Sequence, residues 1–263
     1  MKSQIVICIP INLSNRQGIS AALTDRYGGE YVLLGRVFQS TVTGDSCTIE
    51  ISDRKAYPQG NRTQRINKVE RQILLESDSQ SLGDDFELAA QDRLDVVTRQ
   101  QIDRCPQVIY LTSEETGYNA CLQIARLAKI MLTIGGVAIK VESTGITHTR
   151  QKWLANYGSD DVFEIYSLFV RLIEGEDYYY SCGMHNFGKA DVAISLNEDI
   201  GLAIYVMNVF NYYRLTESPI LLDGHIFQPD MGCPRYQMQW IEDVEEIPNS
   251  YCYNPDGRWL LIG

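Results

Sequence analysis

The chain has 263 residues, 44% of them hydrophobic and 22% charged, with a formal charge of −11 at neutral pH. That length and apolar content are enough to bury a sizeable core, which excludes a wholly disordered chain. The negative charge opposes loose binding to phosphate backbones, whose affinity comes from cationic contacts, so nucleic acid is not expected as a partner; basic partners or plain solubility fit better.

Met1 to Gln4 run straight into Ile5, Val6, Ile7, Cys8, Ile9 and Pro10, a segment too short for a signal-peptide core and lacking a cleavage site. It reads instead as a buried strand over 4–10. Residues 15–27 read as a helix that Ser14 can cap and that Gly28 and Gly29 end. Residues 31–40 and 47–52 read as strands joined through Thr43, Gly44 and Asp45. The stretch 53–85 is polar, basic at first (Arg54, Lys55, Arg62, Arg65, Lys68, Arg71) and then acidic, and reads as a solvated insertion or a docking arm. Phe86, Ala89, Ala90, Leu94 and Val97 recur at helical spacing, and residues 108–111 supply a further short strand. The order βαββαβ over 1–115 predicts a ferredoxin-like half.

A connecting helix is expected within 116–135, ending at Gly135 and Gly136, and a second half over 136–263. There 137–141 reads as a strand, 147–157 as a helix and 163–173 as a long strand. Residues 178–184, 192–196, 220–222 and 235–241 read as further strands, and 198–213 as a helix. That helix is the most apolar of the chain, yet short of the roughly 20 residues that cross a bilayer, so no membrane is expected. The predicted fold class is α+β: two ferredoxin-like halves with mostly antiparallel sheets, packed as one unit. A free sheet face in that arrangement leaves room for a homodimer.

The chemically loaded stretch is Ser181 to Asp191, which crowds Cys182, Gly183, His185, Phe187 and Gly188 together, followed later by Asp223, Gly224 and His225. A nucleophilic reading pairs Cys182 with His185 or His225, the imidazole oriented by Asp223 or Asp191, because a thiol needs a neighbouring base to become a thiolate. No nucleophile elbow accompanies it. Cys182, His185, His225 and Cys233 compose a Cys2His2 donor set of the kind that takes zinc, but the seven-residue gap of the second pair lacks knuckle spacing, and no second CxxC or HxxxH reinforces it. Neither metal nor cofactor is therefore predicted. The adjacent carboxylates Glu114–Glu115 and Glu245–Glu246 read as solvated turns.

Seven cysteines without framework spacing, Cys8, Cys121 and Cys252 among them inside apolar runs, suit a reducing cytoplasm. Sixteen tyrosines, with Tyr180, Phe187, Tyr236 and Trp240 on expected sheet faces and Asp191 beside them, suit a recognition surface.

Gly136-Val137-Ala138, Trp153, Gly183, Phe187-Gly188, Asp191, Asp223-Gly224 and Asn254-Pro255 together resemble a bacterial domain family of unknown function (DUF4261-like) over about residues 130–260. Ala190 and Asp191 stand where that family more usually has proline and glutamate. The resemblance implies an α+β cytoplasmic domain and brings no activity with it. Two functions are carried forward: a non-catalytic binding protein, such as an acidic inhibitor or immunity-type protein with a basic partner, and an enzyme or metal-binding protein built on Cys182, His185, Asp223 and His225.

Overall fold

The first strand, β1 (Ile5–Ile11), shows how the molecule is organised: Ile5, Ile7, Ile9 and Ile11 point into the main core, while Cys8 points the other way into a smaller one. In the computed structural model, residues 4–53, 81–90, 93–155, 161–242 and 253–263 are described. Most of the polar insertion expected at 53–85, residues 54–80, lies outside them, as do Glu245, Glu246 and Cys252.

These residues form an α+β protein with two sheets. After β1 come α1 (Arg16–Tyr27), β2 (Tyr31–Leu34), β3 (Val37–Ser40), β4 (Ser46–Asp53), α2 (Leu82–Leu88), α3 (Val96–Arg104) and β5 (Gln107–Ser113). Asn15, one residue after the expected cap, accepts from the Gly18 N–H at 2.7 Å and starts α1. The long helix α4 (Tyr118–Thr133) presents Cys121, Ile124, Ala125, Ala128, Met131 and Leu132 to the main core. Two further strands, β6 (Ala138–Val141) and β7 (Ile146–Thr149), complete a seven-stranded antiparallel sheet in the order β2-β3-β4-β5-β1-β6-β7.

Two short helices, α5 (Arg150–Ala155) and α6 (Val162–Phe169), lead to the second sheet. It contains β8 (Arg171–Glu174), β9 (Tyr178–Cys182), β10 (Asp191–Ser195), β11 (Ile226–Phe227), β12 (Tyr236–Ile241) and β13 (Arg258–Ile262), ordered β11-β12-β13-β10-β9-β8. Helix α7 (Ile200–Thr216) covers one face through Ala203, Val206, Met207 and Phe210.

Neither sheet shows the ferredoxin-like order. In that order the strand before the second helix lies directly beside the first strand, between it and the strand that follows the first helix, whereas here β5 pairs with both β1 and β4 and separates them. The parallel pair among the described strands is β10 with β13, in the other sheet. The strands of the first sheet that follow α4 also place the change of sheet between Thr149 and Arg171 rather than at that helix.

Local structure departs from expectation in five places, the first of them 31–40, which is a hairpin of β2 and β3 turning at Gly35 and Arg36 rather than one strand. The stretch 86–97 is split between α2 and α3, and 147–157 begins as β7 before becoming α5. Residues 163–169 are helical: Asp161 accepts from the Phe163 N–H at 2.8 Å, and Ile165, Tyr166, Leu168 and Phe169 are buried, which is helical rather than alternating spacing. Residues 220–222 form no strand.

Candidate functional site

The stretch 181–191 is the joint between the two sheets. β9 ends at Cys182, the chain turns at Gly183 with φ +126°, a single 3-10 turn runs over Met184–Phe187, and Gly188 closes it at φ +65°. An alanine Cβ at Gly183 would lie 2.1 Å from the Phe169 carbonyl oxygen, so only a glycine lets the turn sit against the end of α6. The Asn186 carbonyl accepts from the Gly117 N–H at 2.8 Å and from Cys121 Sγ at 3.4 Å, tying the turn to the start of α4. His185 Nε2 donates to the Ser143 carbonyl at 3.0 Å, tying it to the β6–β7 loop. Phe187 packs edge-on against Phe169, and Phe169 against Trp153, with centroids 6.0 and 6.1 Å apart, so an aromatic series joins the turn to the main core.

Asp191 opens β10 and is fully enclosed. Its Oδ1 accepts from Ser181 Oγ at 2.8 Å and from the Met184 N–H at 3.2 Å, and its Oδ2 accepts from Asn254 Nδ2 at 2.7 Å. Burial pushes the carboxyl above its ordinary value, while the bonds from Asn254, Ser181 and Met184 and the charge of Arg214 pull against that. Arg214, buried on α7, donates from Nη1 to the Ala190 carbonyl at 2.8 Å and from Nη2 to Asn211 Oδ1, and its guanidinium lies 4.7 Å from the Phe210 ring centroid. Burial pulls it down to about 10, with Asp191 and Tyr166 opposing. Asn211 Nδ2 in turn donates to Tyr166 Oη at 3.1 Å, and Tyr166 donates to Asn208 Oδ1 at 3.0 Å. The network therefore binds β9, β10, α6, α7 and the Asn254 turn into one unit. Sequence reasoning singled out Asp191 but not Arg214, Asn211 or Tyr166, although the buried stripe of α7 runs from Phe210 into Asn211 and Arg214 at helical spacing.

The Cys/His/Asp candidates do not converge. Cys182 is buried at the end of β9, opposite Arg171. His225 is exposed just before β11, and β10, β13 and β12 stand between its strand and β9, a separation of about 19 Å at the usual strand spacing. Asp223 is exposed and accepts from the Trp240 N–H at 2.7 Å, and half-buried Cys233 donates to Asp230 Oδ2 at 3.4 Å. Among the described residues, no three His, Cys, Asp or Glu side chains gather to hold a metal ion. Of the aromatic candidates, Phe187 and Tyr236 are core, half-buried Tyr180 lies under the Arg258 guanidinium at 4.5 Å, and Trp240 is exposed.

The remaining histidine, His148, is buried at the end of β7, donating from Nε2 to the Leu168 carbonyl at 2.9 Å beside the Trp153 ring. Burial, helped by the charge of Lys152, pulls it to about 4 against an ordinary 6.5, with the Leu168 bond opposing. A depressed histidine leaves stability intact above its unfolded value and loses it as pH falls from 6.5 toward about 4, because the unfolded chain takes up the proton first. Between about pH 7 and pH 5 this amounts to about 2 kcal/mol. His148→Gln, which keeps a donor for Leu168, is expected to flatten that part of the stability curve by the same amount in urea unfolding. An unchanged slope would show that His148 does not carry it.

Large apolar side chains that stay in solvent gather on α7 and on the segment 220–231. Ile204, Tyr205 and Tyr212 are about two-fifths exposed, Ile200 about half, Ile220 86% and Met231 99%. The segment lies along the helix: Phe227 packs on Phe210 with centroids 4.8 Å apart, and Tyr205 Oη donates to Asp230 Oδ2 at 3.0 Å. Compared with family models, curated proteins and solved structures, the chain matches none.

Proposed function

We propose that this chain is a non-catalytic protein-interaction module. The observation that supports it best is the concentration of exposed isoleucine, tyrosine and methionine on α7 and 220–231, in a molecule whose chemically reactive stretch is spent on holding the two sheets together. Exposed apolar groups of this kind, aromatic residues above all, mark the centres of protein interfaces. Recognition thus moves from the sheet faces suggested by Tyr180, Phe187 and Tyr236 to the helix beside them. A reducing compartment, the cytoplasm, suits the buried single thiols Cys8, Cys47, Cys105, Cys121 and Cys182.

Native mass spectrometry of the chain, purified gently without chelators from cells that naturally make it, tests this reading. The expected result is a complex with a second polypeptide, together with a Cys182 that resists thiol reagents while the chain is folded. A chain carrying zinc or a small molecule in place of a polypeptide would overturn it.

A further inference from the structure

We infer that the surface of α7 and 220–231 receives a basic polypeptide, one that presents aliphatic or aromatic side chains flanked by lysine or arginine; this rests on the interaction reading above. The apolar groups supply the anchor. Ile200, Ile204 and Tyr212 follow one another at helical spacing along α7, with Tyr205 and Met231 beside them, and Ile204 and Tyr212 lie about 12 Å apart along the axis.

The charge around them is one-sided. Asp199 caps the start of α7, Glu217 stands at its end, and Asp230 touches its middle through Tyr205. From residue 196 to 242 the chain holds six carboxylates, Glu198, Asp199, Glu217, Asp223, Asp230 and Glu242, against two guanidinium groups, Arg214 and Arg235. Arg214 is buried within the network to Asn211, so Arg235 is the one exposed guanidinium of that segment. A cationic partner would be drawn to this rim and held in register by it, whereas a second copy of this chain would bring the same carboxylates face to face.

The test pans random short peptides on the immobilised full chain at low ionic strength, with counter-selection on the Ile204→Asp/Tyr212→Ser variant. Enriched peptides are expected to be net positive with at least one large apolar residue, and to bind that variant about tenfold more weakly. A second variant, Asp199→Asn/Glu217→Gln/Asp230→Asn, keeps the helix cap and an acceptor for Tyr205 while removing charge, and is expected to slow association about tenfold. All five positions are exposed, so unchanged circular dichroism and urea unfolding serve as the folding control. Neutral or acidic peptides that still require Ile204 and Tyr212 would overturn the basic partner and leave the interaction reading standing. Wild-type self-association that the first variant abolishes would do the same, with a second copy as the occupant. Enrichment that ignores both variants would overturn the surface and remove the main support of the interaction reading.

Discussion

Gly183→Ala is expected to lower the unfolding free energy by about 4 kcal/mol, close to the limit of what a single methyl group can do. Two costs coincide at this position. A backbone at φ +126° lies where a side chain is strained by an amount on the order of 1–3 kcal/mol, and the new Cβ would lie 2.1 Å from the Phe169 carbonyl oxygen and 2.9 Å from Thr144 Cγ2. The first neighbour is backbone at the end of α6, which cannot swing aside as a side chain would, so the joint between the sheets must open. Gly188 provides the control. It is also left-handed, at φ +65°, but an added Cβ meets only Thr116 Oγ1 at 3.3 Å, so Gly188→Ala should cost about 1 kcal/mol, the left-handed penalty alone. Urea unfolding of the two variants side by side decides it. Equal losses would mean that the close approach to Phe169 is not what holds the turn.

The elements that could be read from sequence are those whose local signals agree with their burial. In β1 the alternating isoleucines have no competing pattern, and in α4 the apolar side and the Gly135–Gly136 end point the same way. The segment 163–169 failed because its aromatic and branched composition suggests a strand, while the spacing of its buried residues and the Asp161 cap specify a helix. Strand pairing failed for a different reason. The order of elements is set along the chain, but which strands come to flank β1, here β5 and β6 rather than β4, depends on contacts across a hundred residues, which local patterns do not contain.

The candidate site was legible as a cluster but not as a role. Cysteine, histidine, aspartate and glycine within eleven residues suggest chemistry when they stand in a line. Folded, the histidine meets a backbone carbonyl, the thiol is sealed at a strand end, and the carboxylate meets Asn254, 63 positions away. Exposure on α7 was hidden for the converse reason: Ile204 and Tyr205 lengthen an apolar run that suggests a helix buried on every side, whereas the second sheet covers one side of it.

Asp191→Ala is expected to cost about 3–5 kcal/mol, as for the loss of one member of a buried, hydrogen-bonded charge group. The carboxylate is the shared acceptor for Ser181 Oγ, the Met184 N–H and Asn254 Nδ2, and its loss leaves these donors without that acceptor in a region that water does not reach. It also removes the buried negative charge that Arg214 feels. Asn254→Ala removes the donor to Oδ2 and to the Lys189 carbonyl together with the Oδ1 acceptor for the Asp256 N–H, with no charge lost, so about 1–3 kcal/mol is expected from it. The double variant distinguishes a network from a set of separate bonds. If Asn254 is held chiefly by Asp191, its removal from the Asp191→Ala background should cost about 1 kcal/mol less than from the wild type. Strict additivity in urea unfolding would mean that the 63-residue link does not tie the Asn254 turn to β10. Coupling would explain why an acid is needed at this position at all: with acceptors alone it gathers the turn, two strands and the charge of α7 around one point, which a neutral side chain of the same size cannot do.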